Sequence, residues 1–299
     1  MRRVIAITAA AGLLVTLSAC SVSAPSGGCT PGVESGKASS AVTVSGEVGA
    51  TPTVDFPTPL VPAEAQVSVV SEGDGGTVYD GDLAFLSATV FDATSGDTVF
   101  DTAEAALFAR TGGEAVEEAL ECATVGSRLV VTVPATDASS AAVYVLDVVD
   151  SYTTKATGRI EVPQQGLPSV VTAPDGTPGI TIVGDAPTEL KYSTLITGEG
   201  AKTKTGDAVL VQYTAVNWDT GAVIATTWGD DTLPAGITLQ PYDPASGGIS
   251  AGAATALTGA TVGSQVIVVL PPSAYETGTD LDLPAGATVA IVYDILGIL

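Results

Sequence analysis

Ala119–Pro134 reads ALECATVGSRLVVTVP and Ala256–Pro271 reads ALTGATVGSQVIVVLP; nine of the 16 positions are identical, at an offset of 137. A chain that repeats itself is read as repeats before local propensities are consulted. Working outward, Gly81-Asp82 pairs with Gly206-Asp207 at an offset of 125, and Tyr144–Val149 (YVLDVV) pairs with Ala290–Leu296 (AIVYDIL) through Asp147 and Asp294 at an offset of 147. The second copy has therefore gained 12 residues before the shared block and 10 after it. Further upstream, Val42–Phe56 parallels Val170–Val183: each is a pair of short alternating runs around a Gly and a Thr-Pro, which predicts a leading hairpin-like piece in each copy. The boundaries that follow are a first copy over 41–152, a linker over 153–162 and a second copy over 163–299.

Composition sets limits on the chemistry. The chain has 299 residues, 10 Lys+Arg, 33 Asp+Glu and no histidine, for a net charge of -23. Without histidine there is no Ser-His-Asp or Cys-His nucleophilic machinery, no His metal ligand and no imidazole base. A grip on phosphate backbones needs clustered cations, so nucleic acid is not an expected partner. Both copies are acidic: residues 41–152 hold 18 acidic and 2 basic residues, net -16, and residues 163–299 hold 13 and 3, net -10. The acidity thus belongs to both copies and not to a tail. The pairs Asp230/Asp231 and Asp280/Asp282 lack a spaced ligand array, so no metal is expected.

The N-terminus reads as an address. Met1-Arg2-Arg3 is a positive start, and Val4–Leu17 is an uncharged run too short to span a bilayer, which takes ~20 apolar residues. It ends in Leu17-Ser18-Ala19-Cys20, which resembles a bacterial lipobox. The resemblance implies a signal peptide over 1–19, lipidation at Cys20, and a protein held by that lipid alone on the extracytoplasmic face of the cell membrane. Residues 20–40, rich in Ser, Gly and Pro, are expected to form a flexible stalk. Cys29 and Cys122 remain; outside the cytosol a disulfide between them is one reading, and two free thiols the other.

Within a copy the pattern is mostly β. In the second, Lys191–Thr197, Val209–Asn217, Val223–Thr227, Gln265–Leu270 and Thr288–Leu296 read as strands, and Asp219-Thr220-Gly221 as a turn. Ala251–Leu257 is the one convincing helical stretch there, with Ser250 placed to cap it. A twisted antiparallel sheet wrapped around one short helix, an α+β class, fits that order.

Val209–Trp228 (VLVQYTAVNWDTGAVIATTW), Leu257–Glu276 (LTGATVGSQVIVVLPPSAYE) and Leu283–Leu296 (LPAGATVAIVYDIL) resemble, in order, an FKBP-type peptidyl-prolyl isomerase domain. The first copy looks like a shorter member, and the whole is similar to two-domain actinobacterial surface lipoproteins of this type. The resemblance implies two tandem FKBP-like domains and an enzyme without nucleophile, metal or cofactor, acting on proline-containing peptides or unfolded secreted proteins. It places the strand tyrosine at Tyr213, the tyrosine that bonds a ligand carbonyl at Tyr275, the loop apolar residue at Leu283 and the residue leading into the helix at Ile249. Substrate-binding positions are also filled by Ile224, where the family has the Phe of a Phe-Asp pair, by Ala253, where it has the floor tryptophan, and by Ile291, where it has a phenylalanine. The Asp of the pair is Ala225, and the glycine after Ala-Tyr is Glu276. A Trp-to-Ala change removes apolar contact worth about 3 kcal/mol, so weakened activity is expected. In the first copy Phe100-Asp101 keeps the pair, but Ala88 replaces the strand tyrosine, and the loop Ala135–Ala142 has no aromatic. Two functions stay open: an isomerase assisting secreted-protein folding, and a non-catalytic binding, chaperone or adhesion module on the same fold. A solute-binding lipoprotein would need alternating β-α units, which the sequence lacks.

Overall fold

In the computed structural model, residue 29 and residues 31–102, 107–108, 113–229, 232–275 and 283–299 are described. The first part of the chain runs α1 (Lys37–Ser40), β1 (Thr43–Ser45), β2 (Thr53–Asp55), β3 (Gln66–Ser71), β4 (Leu83–Asp92), β5 (Thr98–Asp101), β6 (Leu107–Phe108), α2 (Glu114–Leu120), β7 (Arg128–Val133) and β8 (Ala142–Tyr152). The second runs β9 (Arg159–Ile160), β10 (Ser169–Thr172), β11 (Pro178–Thr181), β12 (Lys191–Thr197), β13 (Ala208–Asn217), β14 (Val223–Thr226), β15 (Ala235–Thr238), α3 (Ala251–Leu257), β16 (Gln265–Leu270) and β17 (Val289–Ile298).

The repeat in sequence becomes a repeat in topology. One sheet has the order β3-β7-β8-β4-β5 with β6 against β4; the other has β12-β16-β17-β13-β14 with β15 against β13, and β9 added beyond β12. All ladders are antiparallel. Two separate hairpins, β1–β2 and β10–β11, precede the sheets where the paired alternating runs predict them. Below, the two halves are called unit one and unit two.

Each central strand is covered on both faces, which is why it reads as an almost unbroken apolar run. In β17, Val289, Ile291, Tyr293 and Ile295 join a core with α3, whereas Ala290 and Val292 join Leu167, Trp218 and the hairpin residues Val170 and Ile180 on the opposite face. The same holds in unit one: Leu146 and Val148 of β8 pack with Val116 and Leu120 of α2, and Val143 and Val145 pack with Ala38, Val42 and Val54. A sheet of this size cannot leave one apolar face in water, so the hairpin is its second lid. Trp218 follows β13 and is buried under that hairpin.

The helix of unit two forms where predicted. Ser250 Oγ accepts from the Ala253 amide at 3.3 Å, capping α3. Its buried face is Gly252, Ala253, Ala254, Ala256 and Leu257, the first four small enough to lie close on β16. A Cβ at Gly252 would come within 2.4 Å of Leu270 Cδ2 and 3.1 Å of the Ala274 carbonyl oxygen, so the glycine lets the helix approach closely despite its cost in a helix.

Residues 31–40, assigned to a flexible stalk by composition, are packed against unit one. Val33 and Ala38, with Val42 just beyond the segment, are buried, and Gln66 Oε1 accepts from the Ala38 and Ser39 amides at 2.8 and 3.3 Å. Two apolar anchors spaced through a Ser/Gly background suffice to seat a segment that composition alone reads as stalk. Cys29 and Cys122 form a disulfide with a Cα–Cα distance of 5.6 Å, fastening the segment beside the C-terminal end of α2. The segment between the units is likewise ordered along unit two: the Thr157 amide donates to the Gly263 carbonyl, and β9 pairs with β12. The units touch through Leu83 and Tyr152 of the first and Leu210 and Leu296 of the second. Among the described residues no helix is long and apolar enough to cross a membrane. Residues 1–19, expected to be a signal peptide, and Cys20, the expected lipidation position, lie outside the described residues, as do Glu276 and the pairs Asp230/Asp231 and Asp280/Asp282.

Candidate functional site

Unit two brings the seven carried-over positions into one apolar cluster. Ile249, Ala253, Tyr275, Leu283 and Ile291 are buried within it, and Tyr213 and Ile224 pack at its margin. The elements that place them are distinct. Tyr213 stands on β13 directly opposite Tyr293 of β17, their ring centroids 6.0 Å apart and tilted by 46°. Two positions along the same strands, Ala215 faces Ile291. Ile224 comes from β14, which is tied to β13 by the Thr214–Thr226 hydroxyl pair at 2.9 Å and by the Tyr213 amide donating to Thr227 Oγ1 at 2.8 Å. Ile249 is held one residue before the cap of α3 by its amide donating to the Gln240 carbonyl at 3.0 Å. Ala253 lies on the buried face of α3.

Tyr275 follows the 3-10 turn Pro272–Ala274 that ends β16. Its hydroxyl lies 2.7 Å from the Pro284 carbonyl and 2.6 Å from the Ala287 carbonyl, so its one proton is shared between two backbone acceptors of the turn before β17. Burial pushes the phenol pKa up, which keeps that proton in place. The family resemblance marks Tyr275 as a residue that bonds a ligand carbonyl; in the structure its hydroxyl bonds two backbone carbonyls.

The arrangement is a filled one. Ala253 and Ile291 are 0% exposed, and Tyr275 is 8% exposed. The hollow that touches Tyr275, shared with Tyr242, Ala251 and Ser273, has a volume of about 120 Å3, below the ~300 Å3 at which ligand pockets begin. Two larger hollows lie elsewhere and include none of the carried-over positions: about 450 Å3 between α2 and the turn before β4, rimmed by acidic residues, and about 740 Å3 at the junction between the units. Among the described residues no group of three or more Cys, Asp or Glu is arranged to hold a metal.

In unit one the corresponding place is different in kind. Val116 of α2 stands at the repeat position of Ala253 and is buried, while Phe100 on the edge strand β5 is 45% exposed. Ala88, opposite Leu146, offers no aromatic ring where Tyr213 stands in unit two.

What sequence reasoning missed is polar and lies on the other sheet face. Three residues form a row across adjacent strands in each unit: Ser87, Asp147 and Arg128 in unit one, Gln212, Asp294 and Gln265 in unit two. The signal was present in the aligned Asp147/Asp294 and Arg128/Gln265 pairs of the repeat.

No family model matches the chain. A curated relative, the "Probable FK506-binding protein" of Corynebacterium glutamicum, is 31% identical over 116 residues, which is 38% of this chain and 91% of the relative. Among solved structures, the three FKBP domains of wheat FKBP73 cover 79% of this chain and 94% of their own at 17% identity and a TM-score of 0.31. The peptidyl-prolyl cis-trans isomerase of Pseudomonas syringae pv. tomato DC3000 covers 45% of this chain and 84% of its own at 19% identity and a TM-score of 0.30. At such scores these two likenesses add no weight to the sequence match. The relative is matched over nearly its whole length at this identity, and the chain therefore belongs to the family of FK506-binding proteins.

Proposed function

We propose that the chain is a lipoprotein of two tandem FKBP-like domains, anchored through Cys20 on the extracytoplasmic face of the membrane, whose second domain is a peptidyl-prolyl cis-trans isomerase of reduced activity. The observation that carries the reading is the convergence of Tyr213, Ile224, Ile249, Ala253, Tyr275, Leu283 and Ile291 on one cluster. Clients would be proline-containing peptides and unfolded secreted proteins. The domains are those of the sequence repeat: 41–152, a linker over 153–162, and 163–299.

The chemistry needs little. The X-Pro bond resists rotation through a barrier of ~20 kcal/mol because the amide is conjugated. An apolar, water-excluding enclosure favours the twisted amide, whose resonance and polarity are reduced, over the planar ground state. A phenol donating to the peptide carbonyl would fix the ligand's orientation, and Tyr275 reaches that role by exchanging its Pro284 and Ala287 acceptors for the ligand's. Alanine at 253 and at 225 removes the aromatic floor and the carboxylate, and with them part of the discrimination between twisted and planar amide.

A protease-coupled assay on a proline tetrapeptide is the test. Acceleration above the uncatalysed rate, abolished by Tyr213→Ala with the fold retained by circular dichroism, is the expected result; no acceleration at high enzyme concentration refutes the enzymatic reading. The engaged hydroxyl of Tyr275 favours a second reading, a non-catalytic peptide-binding module. Peptide binding without acceleration selects it. For the anchor, labelled fatty acid is expected to enter the wild-type chain and not Cys20→Ala.

A further inference from the structure

One face of β17 carries three successive contacts. Ala290 and Val292 lie beneath the β10–β11 hairpin, Asp294 beneath the segment that joins the units, and Leu296 against Tyr152 of unit one. Asp294 is 1% exposed. Its Oδ2 accepts from the Ala156 amide at 2.7 Å and its Oδ1 from Gln265 Nε2 at 2.8 Å.

What surrounds this carboxyl is neutral. β16 presents Gln265, whose Oε1 accepts from Thr172 Oγ1 of β10 at 3.3 Å, and β13 presents Gln212. The charged side chains of the adjoining segments are engaged elsewhere: Lys155 donates to the Pro174 carbonyl, Asp175 accepts from Thr177, Arg159 pairs with Glu161, and Asp150 accepts from the Tyr152 hydroxyl. A carboxylate taken out of water without a counter-ion is expensive, and proteins commonly resolve the cost by protonation.

A second observation points the same way. Gln212 is 6% exposed, and its Oε1 is buried with no hydrogen-bond partner. It is the direct cross-strand neighbour of Asp294. Beside an ionised carboxylate this oxygen would be an acceptor facing an acceptor; beside a carboxylic acid it has the donor it lacks.

We propose that Asp294 is a proton-operated latch between the units: the neutral carboxyl donates to Gln212 Oε1 and seats the 153–160 segment on unit two, and ionisation loosens that seat. Burial, opposed by the bonds from Ala156 and Gln265, raises the Asp294 pKa from 3.8 to about 6. The sign follows from linkage. A carboxyl whose pKa is higher seated than hydrated takes up a proton on seating, so the seat is firmest below the hydrated pKa, weakens as pH rises from about 4 to about 6, and stays weakened above. Between pH 5 and pH 7.5 the opening equilibrium of the segment is expected to rise about tenfold.

Native-state hydrogen exchange over residues 153–160 in the full chain reads this directly, with protection factors corrected for the intrinsic rate at each pH. The wild type is expected to lose protection about tenfold across that interval. Asp294→Asn, which cannot ionise, should hold a constant value across the interval. A flat wild type, or an equal loss in Asp294→Asn, overturns the latch. Should that variant fail to fold, the carboxyl carbon of Asp294 can be titrated by NMR in the wild type and in Gln212→Met, which keeps the volume and removes the acceptor. The midpoint near 6 should fall in Gln212→Met; an unchanged or higher midpoint overturns the assignment of Gln212 as acceptor.

Discussion

The Ser87–Asp147–Arg128 row of unit one and the Gln212–Asp294–Gln265 row of unit two occupy the same place in the repeat and solve the same problem oppositely. Each holds an N-terminal segment on the sheet face away from the helix. In unit one Arg128 does so with its full fork. Nε and Nη2 reach the two Asp147 oxygens at 2.6 and 2.7 Å, and Nη1 and Nη2 reach the carbonyls of Gly46, Glu47 and Ala50, all in the turn of the β1–β2 hairpin. The Gly49 amide completes the set by donating to Asp147 Oδ2. In unit two the cation is replaced by Gln265, and the held group is a single backbone amide of the connecting segment. The lesson is that the fold needs a satisfied polar row at this point and not a particular charge state. One unit meets the need with an ion pair. The other meets it with a group whose proton is in play.

The largest test of that contrast is to give unit one the chemistry of unit two. Arg128→Gln leaves Asp147 buried without its cation and strands the three hairpin carbonyls. A loss of about 3–5 kcal/mol in the urea unfolding of unit one is expected, with the β1–β2 hairpin released first. A loss below 1 kcal/mol would show that the ion pair is ornament to the packing.

Next in size is the pH dependence of unit two. With the Asp294 pKa raised from 3.8 to about 6, unfolding free energy should fall as pH rises between those values, by about 3 kcal/mol in all, and then level off. Ordinary paired carboxylates give the opposite slope, so denaturant midpoints at pH 4, 5, 6 and 7 for wild type and Asp294→Asn isolate this one. The variant should lack the downward step.

The disulfide sharpens the comparison from the side of the chain's entry into each unit. Unit one's leading segment is fastened covalently as well as by Arg128, while unit two's is fastened by contacts alone. Cys29→Ser with Cys122→Ser should cost unit one about 2–4 kcal/mol, since the bridge closes a loop spanning 93 residues. Unit two should be unaffected, as monitored by its own transition.

Much of this was legible in the residues, and the divide has physical causes. The repeat block forced two sheets of one topology, and the Ala-rich run after Ser250 placed α3 to the residue, because helix propensity and capping are local. The seven positions carried over from the family resemblance share one apolar cluster, and it was the family order, not strand alternation, that named them as a set. Three things were not. Residues 31–40 read as stalk because two buried anchors, Val33 and Ala38, do not move the composition of a Ser/Gly tract. The burial of Trp218 has no local signal because the β10–β11 hairpin that covers it comes from far upstream in the chain. The state of the Tyr275 hydroxyl depends on two carbonyls, at Pro284 and Ala287, whose approach no pattern encodes.

That hydroxyl gives the smallest expected effect on stability, and it decides most about function. Unit one has no aromatic in its 135–142 loop and is nevertheless folded, so the phenol is not a requirement of the architecture. Tyr275→Phe should cost about 1 kcal/mol in unfolding, the net worth of a neutral hydrogen bond. If the phenol also turns to a peptide carbonyl in the bound state, kcat/KM or peptide affinity should drop by a further factor of up to about tenfold. The two losses are separable: the first appears in denaturation without peptide, the second only with it. A variant that loses stability and keeps peptide affinity would assign Tyr275 to the turn before β17 alone. The binding surface would then have to be sought around Tyr213 and Ile224, the two carried-over positions that are only partly buried.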